Sequence, residues 1–247
     1  MLIQHALPTG NVVSGITLVD TSFAPWPGYT FGHTPASSPE LVAQSFNALA
    51  EALDWRRTSI VTVTQVHGAT IEVVEDAPPQ STTQADAIIT NRSGWLLGVK
   101  LADCCGVVIY DQAHHAIAAV HSGWRGTAQN IVAATIAAMQ QQYGTRPTDL
   151  QVWLSPCASG LAYVVRNDVH TALPAYCTPL EGTTSQWLFD NHAALRAQLI
   201  EAGVPVQSII TDESCTMTDQ RWHSHRRDGE QAGRMLAFIG LRPMVGK

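Results

Sequence analysis

Two short apolar runs constrain this chain most: Gly106–Tyr110 and Ala116–Val120, separated by the turn-like stretch Asp111–Ala113. Runs of that length, apolar throughout and bounded by turn residues, read as buried strands. If they pair antiparallel, the start of one lies beside the end of the other. The residues able to do chemistry sit at those ends. Asp103, Cys104 and Cys105 precede the first run, and His121 and Arg125 follow the second. The pairing predicts Cys104 close to His121. A thiolate and an imidazole at one sheet edge suit a transition metal or a nucleophilic site.

The rest of the chain supplies elements around this pair. Residues 1–39 read as irregular, broken by Pro25, Pro27, Gly28, Gly32, Pro35 and Pro39. Ser38-Pro39-Glu40 opens a helix whose stripe is Leu41, Phe46, Leu49 and Leu53. Ser59–Val66, Ile71–Val74, Ala87–Thr90 and Leu96–Leu101 read as strands, with a polar loop over residues 76–84. Thr127 is the expected N-cap of a helix through Tyr143 that stops at Gly144. Leu150–Leu154 and Val206–Thr211 are expected strands, and Asn191–Ala202 a helix. Ser224–Gly229 reads as a loop, followed by a short helix near Gly233–Ile239. Helices and strands are mixed without strict alternation. The expected class is therefore α+β with mixed sheets, rather than a doubly wound fold.

At 247 residues the chain can bury a sizeable core. The net charge of −6 and only two lysines, Lys100 and Lys247, argue against nucleic acid as a partner. Twelve arginines against two lysines favour bidentate recognition of carboxylate or phosphate, or reflect a GC-rich genome. Five cysteines (104, 105, 157, 177, 215) lack disulfide-framework spacing. With no apolar run long enough to span a bilayer, the expectation is a reduced, cytoplasmic protein without a membrane partner.

His67 ends a strand in Thr64-Gln-Val-His-Gly; such a histidine is a ligand or merely a surface residue. In His121-Ser-Gly-Trp-Arg-Gly, the two glycines allow backbone amides to approach a ligand, and Arg125 places a cation there. The alternative is a strand-to-helix turn with Trp124 in the core. Cys105 neighbours Cys104, but successive strand residues face opposite ways, so only one of them serves a given site.

Several motifs occur in order: Gln65-Val-His-Gly, Ala85-Asp-Ala, Ala102-Asp-Cys, Ala119-Val-His-Ser-Gly-Trp-Arg-Gly, and Ser224-His-Arg-Arg-Asp-Gly followed by Gly233-Arg-Met. Together they resemble the YfiH-like family, also called laccase-domain or polyphenol oxidase proteins, from about His67 to Leu241. The resemblance implies a single domain over residues 1–247, with mixed β-sheets packed as a sandwich and helices outside. It also implies a metal site of His67, Cys104 and His121, the open three-ligand pattern of catalytic zinc, with copper as the alternative. Departures from the pattern are a shortened stretch at Asp20–His33, Gly106 in place of proline, Ser155 in place of glycine, Val164 in place of glutamate and His225 in place of tyrosine.

Members look like purine nucleoside phosphorylases with adenosine deaminase and methylthioadenosine phosphorylase activity. The expected partners are therefore small molecules, a nucleoside and phosphate, bound by a monomer or homodimer. Arg125, Arg226 and Arg227 are the expected phosphate contacts, with possible help from Arg234. Asp103 is a partner of the ligands or a proton acceptor. For Arg226-Arg227 the competing reading is a surface pair bridged to Asp228. Two further activities remain open: an amide hydrolase editing a peptidoglycan precursor, and a copper phenol oxidase. Multicopper centres need many His-X-His pairs; this chain has His223-Ser-His225, plus His114-His115.

Overall fold

The computed structural model describes residues 1–7, 10–80 and 82–243; Pro8, Thr9, Ser81 within the expected 76–84 loop, and the last four residues lie outside them. In chain order the elements begin with strands Ile3–His5 (β1) and Val12–Thr17 (β2), then helix Pro39–Ala52 (α1). Strands Ile60–Val61 (β3), Ile71–Val73 (β4), Ala87–Thr90 (β5), Leu96–Leu101 (β6), Cys105–Asp111 (β7) and Ala116–Ser122 (β8) follow. Next come helices Trp124–Ala128 (α2) and Ile131–Tyr143 (α3), strands Leu150–Leu154 (β9) and Val164–Val165 (β10), and helix Asn167–Ala172 (α4). The chain continues through strands Cys177–Pro179 (β11) and Trp187–Phe189 (β12), helix Asn191–Glu201 (α5), strand Ile209–Thr211 (β13), helix His225–Asp228 (α6) and strand Met235–Leu241 (β14).

Two sheets stack. One has the order β1-β2-β14-β6-β3 and the other β13-β9-β7-β8-β5-β4; a small sheet β10-β12-β11 stands apart from both. Each large sheet mixes antiparallel pairs with parallel ones, the latter being β3 with β6, β4 with β5 and β13 with β9. The continuous apolar runs follow from this layering, because strands covered on both faces need no polar face. Along β7 and β8, Val108, Tyr110, Ile117 and Ala119 turn inward to meet Leu97, Val99, Ala237 and Ile239 of the other sheet. The alternate residues Val107, Ile109, Ala118 and Val120 turn outward under Ile131, Ile136 and Met139 of α3 and Leu195 and Leu199 of α5. Helix α1 covers the far face of the five-stranded sheet, placing Phe46 and Leu49 on Leu96, Leu236 and Phe238. Each fully buried side chain of this size contributes about 1.5–3 kcal/mol, so the layers themselves are the main source of stability. The α+β arrangement of mixed sheets with outer helices is the one expected.

Several local expectations are corrected. Residues 1–39 are not wholly irregular: β1 and β2 form an antiparallel pair that docks on β14. Gly15 interrupts the apolar pattern of β2 for a packing reason, since a Cβ there would lie 2.4 Å from the Gln4 carbonyl oxygen. The helix expected near Gly233–Ile239 is the central strand β14. A seven-residue apolar run buried on both faces has no period to distinguish strand from helix. Ser59–Val66 keeps only β3 as regular strand, and residues 206–208 form a 3₁₀ turn before β13. Thr127 is not an N-cap. It lies inside α2, buried, with its hydroxyl 2.6 Å from Asn191 Oδ1, and α3 starts instead after Asn130 in the left-handed region. Ser224–Gly229 is not a loop: Ser224 Oγ accepts from Arg227 N at 3.1 Å and caps the single turn α6. The opening of α1 at Ser38-Pro39-Glu40 and the left-handed Gly144 stop of α3 are as expected, and Ser38 Oγ caps α1 by accepting from Leu41 N.

Candidate metal centre

Strands β7 and β8 pair antiparallel with Gly106 opposite His121 and Cys105 opposite Ser122. This register brings Cys104, just before β7, to the end of β8. His67 arrives from a third direction. Residues 64–68 run beside 83–86, joined by Thr64 N to Thr83 O at 2.9 Å and Ala85 N to Thr64 O at 3.2 Å. Gln65 clamps the segment to β6, donating to Lys100 O and accepting from Lys100 N. One ligand-capable atom each from His67, Cys104 and His121 then lies within 4.8 Å of the others.

Behind these three sits Asp86, fully buried at the start of β5. Its Oδ1 accepts from His67 N at 3.0 Å and from His121 Nδ1 at 2.7 Å. Its Oδ2 accepts from Gly68 N at 2.7 Å and Val66 N at 3.2 Å. One carboxylate thus shapes the turn that presents His67 and sets His121 with Nδ1 as donor, leaving Nε2 as the nitrogen free to ligate. His67 itself takes φ +59° and Asp103, next to Cys104, φ +84°, conformations uncommon for residues with a Cβ.

The charges reinforce one another. Burial pushes the Cys104 thiol up, but the His121 and His67 imidazoles outweigh it and hold the thiol at about 6. Burial pushes His121 down, but Cys104 and Asp86 outweigh it and hold the imidazole at about 9. Burial likewise raises Asp86, while the bonds from His121 and Gly68 bring it below the usual carboxylate range. A low-lying thiolate beside an imidazole is a donor set for a soft or borderline divalent cation, whose binding displaces the imidazolium proton. The space around the sulfur is reserved too. A Cβ on Gly123 would lie 2.8 Å from Cys104 Sγ and 3.4 Å from His67 Cδ2, so only glycine leaves room for the cluster. The residues present therefore fit a zinc or copper ion.

The three groups face a cavity of about 560 Å³, within the range of small-molecule sites. Arg125 on α2, Arg226 on α6 and Arg234 before β14 converge on it from distant parts of the sequence. Arg125 lies over the Trp124 ring at 4.4 Å and Arg226 over the Tyr163 ring at 5.0 Å, so both guanidiniums are held by stacking. Asp103 Oδ2 accepts from Arg226 N at 2.6 Å and its Oδ1 from Thr216 Oγ1 at 2.7 Å, tying α6 to the residue next to Cys104. Arg227 is directed elsewhere. Its guanidinium donates to Thr216 O, Trp222 O and both oxygens of Asp228, and it does not line the cavity. Cys105 faces away from the cavity, as strand alternation requires.

Sequence reading assigned no role to Asp86 or Lys100, and gave Gly123 a turn that lets amides approach a ligand rather than room for the Cys104 sulfur. Asp86 lay within a noted motif, Ala85-Asp-Ala. Lys100 carried its own signal, a lysine in an apolar strand; it lines the cavity with Nζ donating to Val63 O at 2.9 Å, and burial lowers its pKa. Tyr163 gave no signal, because only tertiary contact brings it to Arg226. The remaining histidine pairs are engaged apart from the centre: His114 with Asp111 and His223 with Tyr29 O.

Known proteins share this arrangement of chain. A purine nucleoside phosphorylase of Corynebacterium glutamicum is 34% identical over 227 residues, covering 89% of each chain. A purine nucleoside phosphorylase of Xylella fastidiosa is 38% identical over 190 residues, covering 71% of this chain and 70% of that one. The crystal structure of YlmD from Geobacillus stearothermophilus matches with a TM-score of 0.88 at 29% identity over 97% of both chains. The family model described as multi-copper polyphenol oxidoreductase laccase matches residues 19–242, and the chain belongs to that family, with the YfiH-like fold.

Proposed function

We propose that the protein is a metal-dependent purine nucleoside phosphorylase that also deaminates adenosine. The observation that carries this reading is a Cys–His–His cluster backed by a buried carboxylate, on the floor of a cavity whose wall holds three arginines from separate segments. Its relatives named purine nucleoside phosphorylase support the same reaction class.

His67, Cys104 and His121 hold the ion, zinc or alternatively copper. When bound, it supplies Lewis-acid activation of water, the chemistry that deamination requires. Arg125 and Arg226 grip phosphate through charge-assisted bonds, their planes set by Trp124 and Tyr163. Arg234 and Lys100 add positive charge to the same wall. Asp103 positions Arg226 through its backbone N–H and keeps lone pairs free to accept a substrate proton. With phosphate fixed in this way, attack on the glycosidic carbon becomes effectively intramolecular.

A second hollow of about 350 Å³ shares Trp124, Tyr163 and Arg226 with the first. It favours one alternative, an amide hydrolase acting on a longer nucleotide-linked precursor. Mass spectrometry of products separates the two. Incubation with inosine plus phosphate yields hypoxanthine and ribose 1-phosphate, and adenosine yields inosine, if the proposal holds. Release of an amino acid from a nucleotide-linked muramoyl substrate alone would transfer the site to the alternative.

A further inference from the structure

Cys105 points away from the cavity into the layer between the six-stranded sheet and its outer helices. There it meets Cys157, which follows β9, and His192, at the start of α5. One ligand-capable atom from each lies within 4.8 Å of the others. Both sulfurs are buried within a cluster that is otherwise aliphatic, including Val107, Leu154, Leu195 and Leu199. Two thiols and an imidazole brought together from three elements are an unusual filling for such a layer, where hydrocarbon packs without polar partners.

The distances give the cluster a shape. His192 Nε2 lies 3.3 Å from Cys157 Sγ and 2.8 Å from Ser155 O, and Cys105 Sγ lies 3.6 Å from the same Ser155 O. Four donor atoms (two sulfurs, one nitrogen and one carbonyl oxygen) are thus gathered in one small volume. Tetrahedral zinc, with bonds of about 2.3 Å to sulfur and 2.0–2.1 Å to nitrogen or oxygen, requires separations of about 3.3–3.6 Å between unlike donors. The 3.6 Å sulfur–oxygen distance matches, and the 3.3 Å sulfur–nitrogen distance lies a few tenths of an ångström short of the roughly 3.5–3.6 Å such a pair requires. The third is shorter because nitrogen and oxygen are drawn together by a hydrogen bond, which a cation replacing the proton would relax.

We propose that Cys105, Cys157 and His192, with the Ser155 carbonyl oxygen, form a second metal site that takes one thiophilic divalent cation such as zinc. With four protein donors the coordination is full, so the site is structural: the cation pins β7, β9 and α5 together directly behind the Cys104 centre. Binding forms two metal–sulfur bonds, one metal–nitrogen bond and one metal–oxygen bond, and the protons held by the thiols and imidazole pass to solvent.

Cadmium titration of the full chain, followed by thiolate-to-metal charge-transfer absorption and elemental analysis, tests this. The parent is expected to hold about two ions per chain, Cys104→Ser about one with a two-thiolate spectrum, and Cys104→Ser/Cys157→Ala none. Cadmium should also raise the Tm of Cys104→Ser and leave that of the double variant unmoved. His192→Gln, whose amide can still donate to Ser155 O, keeps the test open if loss of Cys157 prevents folding; it should bind the second ion at least tenfold more weakly. A folded Cys104→Ser chain that binds no cadmium, or a His192→Gln chain that binds two ions as tightly as the parent, would overturn the proposal and leave the cluster a hydrogen-bonded core.

Discussion

Replacing Asp86 with asparagine tests the centre at its root. The change is nearly isosteric, yet it turns one oxygen into an amide donor. If the amide takes the place of Oδ2, it faces the N–H groups of Val66 and Gly68. If it takes the place of Oδ1, it faces the N–H of His67, and His121 must move its proton to Nε2 to accept from it. The first orientation breaks two charge-assisted bonds, each worth about 1.5–3 kcal/mol, and the second breaks one and replaces the other with a neutral bond. The Val66 contact is the longest of the four at 3.2 Å and belongs to an exposed residue, which places the loss at the lower end, about 3 kcal/mol. For a chain of this size that lowers Tm by roughly 6–12 °C. The second orientation also removes the ligating lone pair of His121, so metal affinity should fall roughly 10–100-fold. Calorimetry in excess chelator isolates the first effect, and competition against a chromophoric chelator measures the second. A variant melting within about 2 °C of the parent and binding zinc within about threefold would refute the account, leaving Asp86 as filler behind independently placed ligands.

Four other variants have outcomes that follow from the structure. Gly123→Ala has no backbone penalty at φ −79°, so its clash falls on Cys104 and His67; elemental analysis should show the Cys104-centred ion lost with circular dichroism unchanged, and full occupancy would count against the packing argument. Arg226→Ala should weaken phosphate binding by roughly tenfold with little change in Tm. Arg227→Ala should instead lower Tm by several degrees, since it holds Thr216 O, Trp222 O and Asp228, and steady-state kinetics alongside melting curves would expose a reversal. Burial pushes His223 down to about 4, against about 6.5 unfolded; the unfolded chain then binds more protons between these values, so stability is full above pH ~6.5 and falls as pH drops toward ~4, by about 3 kcal/mol. His223→Gln keeps the donor to Tyr29 O and cannot titrate, so denaturant unfolding at several pH values should show a flatter profile; parallel profiles would refute the assignment.

What was legible in the sequence was local or periodic. The runs of β7 and β8, the turn between them and the alternation that separates Cys104 from Cys105 follow from steric rules acting over a few residues. The helix opening at Ser38-Pro39-Glu40 and the Gly144 stop do so as well. Cys104 and His121 came together because an antiparallel register converts sequence order into proximity. Other features had no local signature. Met235–Leu241 became a strand because helices and sheets cover both its faces, which only the assembled layers decide. Thr127 lost its capping role because Asn191, far along the chain, offered its hydroxyl a partner. Arg226 and Arg227, adjacent in sequence, point about 100° apart around the single turn of α6. Tyr163 and the Asp103 carboxylate hold the first at the cavity, while carbonyl oxygens of Thr216 and Trp222 and the Asp228 carboxylate draw the second away. The carboxylate of Asp86 gained its place from four donors on two segments. Such sites are decided by long-range packing, because a buried charge is tolerated only where several distant groups converge to satisfy it.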